Sequence, residues 1–284
     1  MISINVTTLV VIRRHGRSAA IGRPEIWGNL SMINHLSLRD AVLLARDAGA
    51  DPADLNPIWG PYLPERAHPT PAPPAATFAD VHLVIQALTA PAVLAFSVTS
   101  AGSTQEIRIA CSEDAAVSIA GPPNAGARWE LIPAQEVMAC LSALLPSGGR
   151  LAAAAEMTTV ADDQALAFTA AQQQSIARSL RAGATVTDAL DALDEVDPRL
   201  RDAMLSTADR AILAVSMINT TPSPGDAARM AMVRRWNAGN LSLYRSDSAR
   251  LVDGVHPVPD GDVLGTLIPI AAEATRIGAG RAAA

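Results

Sequence analysis

Five histidines, two cysteines and three close acidic pairs are the side chains of this sequence best suited to bond chemistry. The histidines (His15, His35, His68, His82 and His256) are scattered, and no two have the i, i+4 spacing that sets paired imidazoles on one helix face for a metal. His82, on an expected helix, and His256, beside Pro257, read as partly buried structural residues. The acidic pairs are Asp51/Asp54, Asp162-Asp163 and Asp194-Glu195. General acid–base work needs two carboxylates held across a cleft with separated pKa values. Neighbouring acids at helix ends meet a simpler need, solvation and the positive end of the helix dipole. Cys111 and Cys140 are too few for a disulfide framework and sit in apolar patterns, as small core residues of a reducing compartment do. No CxxC, HExxH or GxSxG spacing occurs, and no glycine-rich loop follows a strand. Gly278-Ala279-Gly280 lies near the end and reads as tail. The residues nominate no catalytic, cofactor-binding or metal site.

All 22 basic residues are arginine. Without lysine there is no Schiff base, no Walker-A lysine and no kinase-type grip on phosphate. The net charge is −6 and the arginines form no stripe, which disfavours a nucleic-acid surface. Of the 284 residues 49% are apolar but only 3% aromatic, so the core is built from Ala, Val, Leu and Ile around a few large anchors. Those anchors include Trp27, Trp59, Trp129 and Trp236; Trp129 and Trp236 read as core or sheet-face residues, with a partner surface as the alternative. No stretch approaches the ~20 apolar residues of a membrane span. Arg13, Arg14 and Arg17 follow the short apolar start instead of preceding it, the reverse of a secretory signal. A cytoplasmic protein without membrane insertion is the expectation.

The elements that would position any site follow from pattern and punctuation. Residues 1–31 fit poorly with the rest and read as a poorly ordered or spurious extension, with Met32 as an alternative start that intact-mass measurement would test. Ser37 caps a helix from Leu38 to Ala48 that ends at Gly49. Eight prolines between Pro52 and Pro74 make an irregular connector. Thr77 and Asp80 open a helix to Leu88, which Pro91 breaks. Strands are expected near 92–99, 105–111, 115–120 and 128–132, joined by hairpin-length turns that imply antiparallel pairing. Pro133 then begins a helix to Leu145. The middle reads as helical: Gln164–Ala182, a second helix capped by Thr187, and a third from Asp197-Pro198. Strands follow near 210–219, 228–235, 239–245 and 250–255. A last helix runs from Asp260 to Arg276, kinked or shortened by Pro269, and 275–284 is a flexible tail.

The chain also repeats itself. Ala92-Val93-Leu94-Ala95-Phe96-Ser97-Val98 returns as Ala211-Ile212-Leu213-Ala214-Val215-Ser216-Met217. Ile107–Ala110 is matched by Met230–Val233, Val117–Ile119 by Leu241–Leu243, and Pro133, Val137, Leu141 and Leu144 by Pro259, Val263, Leu267 and Ile270. The offset drifts only from about 119 to about 126, which loop insertions explain. A single α+β domain over 32–274 is expected, made of two diverged pseudo-twofold repeats (about 77–146 and 185–274) around a helical middle.

The run Leu88-Thr89-Ala90-Pro91 into Ala92–Val98, the strand Glu106–Ala110, and Trp129-Glu130-Leu131-Ile132-Pro133 before a helix ending Leu144-Leu145-Pro146 together resemble the EspG family. These are cytoplasmic chaperones of actinobacterial type VII (ESX) secretion. The second copy closes similarly at Val258-Pro259. The resemblance covers roughly Leu36 to Ala274; residues before Met32 and the long proline stretch depart from it. It implies an α+β fold with a central, mostly antiparallel sheet and helical bundles. It also implies a non-enzymatic protein that keeps a helical secretion substrate of the PE–PPE or WXG100-like type soluble for export. The matching partner loop comprises Thr99, Ser100, Ala101, Gly102, Ser103, Thr104 and Gln105, for which an ordinary hairpin turn is the competing reading. A homodimer stays open. Two other functions stay open as well: an enzyme, for example a hydrolase whose site is assembled from dispersed residues, or a structural subunit. The enzyme predicts a deep pocket with a perturbed His or carboxylate; the chaperone predicts an exposed apolar patch bordered by mobile loops.

Overall fold

The computed structural model describes residues 32–62, 77–113, 115–122, 126–156, 165–218, 229–248 and 254–280. Expectations about residues 1–31, the proline-rich 63–76, Asp162-Asp163 and the tail 281–284 lie outside them.

Among the described residues nine antiparallel strands form one sheet. In chain order they are β1 (Met32–Leu36), β2 (Ala92–Ser100), β3 (Ser103–Ser112), β4 (Ala115–Ala120), β5 (Ala127–Pro133), β6 (Arg210–Ile218), β7 (Arg229–Ala238), β8 (Leu243–Ser246) and β9 (His256–Val258). Their spatial order is β1-β5-β4-β3-β2-β6-β7-β8-β9, so two hairpin-connected runs meet back to back at β2 and β6. Across that seam Ala92 pairs with Met217 and Val98 with Ala211. At its centre Ala95 pairs with Ala214, its own counterpart in the sequence match.

Helices cover both faces. On the first, α3 (Val137–Ser142) packs beside α7 (Asp262–Gly278), and α7 crosses β2, β3 and β6. The core there joins Leu94, Phe96, Ile109, Leu213, Val215 and Trp236 to Leu141, Val263, Leu267 and Ala271. On the second face, α1 (Leu38–Asp47) and α2 (Phe78–Leu88) pack on Val93, Ala110, Val117, Ile119 and Trp129. At the far end of the same face, α4 (Ala170–Arg181), α5 (Val186–Asp191) and α6 (Pro198–Leu205) gather around Tyr244 and Val255. Period-2 alternation in the strands thus feeds two cores, and each fully buried Leu, Val or Phe is worth roughly 1.5–3 kcal/mol.

Local chemistry sets most boundaries. Ser37 caps α1, accepting from Asp40 N–H, and Thr77 with Asp80 forms a reciprocal capping box at α2. Several expectations are corrected. Pro133 ends β5 and precedes a short 3-10 turn, so α3 starts at Val137 and stops at Ser142, short of Leu145. Residues 165–169 of the Ala-rich segment are not helical: Leu166 exchanges backbone hydrogen bonds of 2.7 and 2.9 Å with Val255, and the helix starts only at Ala170, capped by Thr169 in a capping box with Gln172. The next helix is capped by Thr185 with Asp188, not by Thr187. Residues 250–253 of the strand expected at 250–255 lie outside the described residues, and the last described strand is 256–258.

Pro269 does not shorten α7, which runs for 17 residues. Proline inside a helix costs about 3 kcal/mol, and burial of Val263, Leu267, Ala271 and Ala274 outweighs it while Pro269 itself faces outward. Residues 275–278, assigned to the tail from sequence, are the last turn of α7. Gly278 is buried there, and its carbonyl accepts from Glu113 N–H at 2.5 Å.

Candidate partner-binding site

The second face is not covered from end to end. The α2 layer stands over β3 and β4. At the opposite side α6 is held to β7 by Asn237 Nδ2 donating to the Ala203 carbonyl (2.9 Å) and to β8 by Tyr244 OH donating to Asp202 (3.0 Å). Between them, among the described residues, lies a strip floored by Ala95, Ser97, Ile212, Ala214, Val233 and Arg235, all half-buried, with the 3-10 turn Pro57–Tyr62 packed against β6. The register puts them on one face: Ala95 opposite Ala214 and Arg108, Ala214 opposite Val233, Ser97 opposite Ile212, and Ile212 opposite Arg235. The three floor strands β2, β6 and β7 at ~4.8 Å spacing give a trough about 10 Å across, close to the ~10–12 Å diameter of one α-helix with its side chains. Ala95 and Ala214 at the centre leave the floor low.

The trough is lined by charge as well as by small apolar groups. On one wall Arg108, largely buried, pairs with Glu106 at 3.2 Å. On the other, Arg210 donates through Nε to Thr99 Oγ1 (3.2 Å), and Arg235 donates through Nε to Asn237 Oδ1 (3.0 Å). Burial, then the neighbouring Arg210, pull the Arg235 guanidinium below its ordinary pKa. The exposed apolar patch expected from sequence is therefore a mixed surface, polar at its rims.

The segment 99–105 is a tight hairpin at one end of this trough. Thr99 and Ser100 end β2, Ser103 to Gln105 begin β3, and Ala101 and Gly102 form a two-residue turn with φ of 49° and 77°. Thr99 and Thr104 share a 2.9 Å hydroxyl contact, and Ser100 Oγ donates to Asp209 at 2.7 Å. Residues 101–105 are exposed.

The other nominated residues are dispersed. Cys111 is buried, which pushes its thiol up to about 12; Cys140 is half-buried, and burial raises it too. His82 is exposed, contrary to the expected partial burial, because it falls on the outer side of α2. His256 is buried on β9, and its Nδ1 has no hydrogen-bond partner among the described residues. Asp51 caps a 3-10 turn, and Asp194 and Glu195 are exposed. Trp59, Trp129 and Trp236 are all core. Among the described residues no three His, Cys, Asp or Glu side chains are placed to hold a metal, and no helix is long and apolar enough to cross a membrane.

Two carboxylates, the buried Asp262 and the half-buried Asp202, escaped the sequence reading. Asp262, in the first turn of α7, accepts from Trp236 Nε1 (2.8 Å) and from Arg245 Nη1 (3.0 Å). Asp202 on α6 accepts from the Asn240 and Leu241 N–H groups, Tyr244 OH and Ser206 Oγ. Burial pushes the Asp202 carboxyl up, but these donors together hold it below its ordinary pKa. No sequence motif marks either residue; only the packing of α6 and α7 against the β7–β8 hairpin brings them to their donors. Both bind elements together and neither faces the trough.

The fold and site define an α+β protein with a helix-flanked antiparallel sheet and a half-buried trough across its centre. Among solved structures, the chain is similar to the Mycobacterium tuberculosis type VII secretion system chaperone EspG5, determined in complex with a PE25-PPE41 dimer. That match has a TM-score of 0.41 and 8% identity, and covers 87% of this chain and 95% of that one. No family model and no curated protein matches the sequence.

Proposed function

We propose that this chain is a cytoplasmic, non-catalytic chaperone of type VII (ESX) secretion, which grips a helical substrate of the PE–PPE or WXG100-like type and keeps it soluble for export. The observation that carries the reading is the trough: a half-buried strip of sheet, one helix wide, flanked by α2 and α6. The substrate class comes from the sequence resemblance of Leu88–Ala110 and Trp129–Pro146 to the EspG family. Thr99 to Gln105, at the trough's hairpin end, would meet the substrate at its rim. The duplication belongs to the same proposal. A two-repeat origin accounts for the meeting of β2 with β6 at Ala95 and Ala214 and for the matched order of strands on either side.

Co-expression with PE–PPE and WXG100-like pairs from the source genome tests this. A stoichiometric complex by size-exclusion chromatography is expected with one of them. Ala214→Trp, which fills the trough floor, is expected to abolish that complex while leaving the circular dichroism spectrum unchanged. Failure of every such pair to associate overturns the proposal.

A further inference from the structure

Arg210 and Arg235 lie on adjacent strands, one pleat apart on the same face, at the α6 side of the trough. Each commits one N–H to a neutral side chain, Thr99 and Asn237 respectively. Among the described residues no carboxylate comes within ion-pair distance of either, and the nearby acids are engaged elsewhere. Glu106 holds Arg108 along β3 at 3.2 Å, and Asp209 takes the Ser100 hydroxyl at 2.7 Å. Two like charges on a half-buried floor are costly, since burial penalises each and they repel one another. The cost is visible in Arg235, whose guanidinium burial and Arg210 hold below its ordinary pKa. In a chain of net charge −6 with 22 cations, most of the other described arginines found under cover have a carboxylate partner, as Arg108 and Arg245 do.

We infer that Arg210 and Arg235 together receive a carboxylate side chain of the helical segment docked in the trough, and so select acidic partners. The inference rests on the docking reading above. A planar guanidinium presents a fork of N–H donors that matches a carboxylate in two parallel hydrogen bonds. Two such groups at the edge of a helix-wide trough would read one acidic position on the face of an incoming helix. Their mutual repulsion is relieved only in the complex, so the free protein holds them ready at some cost to its own stability.

The test uses two fluorescently labelled, end-blocked, alanine-based helical peptides. They are identical except that two Glu four residues apart in one are Gln in the other. Titrated against the full chain by anisotropy, the Glu peptide is expected to bind about tenfold more tightly, although the protein's net charge opposes it. R210Q and R235Q are each expected to erase that preference. Without peptide, R235Q is expected to melt at the same temperature or higher, whereas a purely structural arginine would melt lower when replaced. Equal affinity for the two peptides, absence of binding by either, or a preference that survives in the R210Q/R235Q double variant overturns the inference. Equal affinities that Ala214→Trp still abolishes would sink the charge selection and leave docking in the trough standing. A Glu preference without any PE–PPE or WXG100-like complex would do the reverse.

Discussion

Asp262 shows how much one side chain can organise. Its carboxylate sits at the positive end of α7, takes the indole N–H of Trp236 and pairs with the buried Arg245. Removing one partner of a buried ion pair strands the other, at about 3–5 kcal/mol. Asp262→Ala is therefore expected to lower unfolding stability by about that much in urea titrations followed by tryptophan fluorescence. The double variant Asp262→Leu/Arg245→Met should recover much of the loss, because no buried charge remains unpaired. Asp202 gives a pH-dependent counterpart. Its carboxyl is held below its ordinary value in the folded chain, so its contribution is present above the ordinary carboxylate range and is lost as pH falls through the lowered pKa. Asp202→Asn should cost about 1–3 kcal/mol at pH 7, and the gap to the parent protein should close as denaturation is repeated towards pH 3. A gap that stays constant with pH would refute that account.

At the level of elements, α7 is the longest helix among the described residues, and it packs on strands of both halves of the sheet. Its last turn passes so near β3 that a Cβ on Gly278 would stand 2.7 Å from the Cys111 carbonyl carbon. Gly278→Ala must push helix and strand apart, at about 1–3 kcal/mol, read as a lowered melting temperature. An unchanged melting temperature would mean that the contact gives way freely. This close approach was not legible in the sequence, where Gly278 read as tail, because nothing local announces what a chain end packs against. The strands were legible, since Ala92–Val98 and Glu106–Cys111 alternate or run apolar between clear turn residues. Caps were legible where one Ser or Thr stood alone, as at Ser37 and Thr77, and were misplaced where Thr185 and Thr187 competed. Alanine misled in the middle of the chain: high helix propensity around 165–169 gives way to a bridge with Val255 that only the folded sheet supplies. The trough was invisible for the same reason. It is defined by which parts of a face the helices leave bare, and by Arg210 and Arg235 meeting across β6 and β7.

For the whole molecule, the deciding feature is the β2–β6 seam, where residues well over a hundred positions apart close the middle of the sheet. Closing so long a loop is entropically slow compared with forming either hairpin run. During refolding each half must therefore wait with an unpaired, mostly apolar strand at its margin. Because Ala95 meets Ala214, and the two strands read almost alike, β2 of one chain offers the β2 of another nearly the same row of partners that β6 offers it. Refolding yield should thus fall as protein concentration rises, with the loss appearing as exchanged dimers on light scattering; a yield independent of concentration would exclude such pairing. The symmetry that builds the centre of this sheet also makes a second copy the most plausible wrong partner, so the speed of synthesis and the dilution of newly made chains bear on how much of this protein reaches its working form.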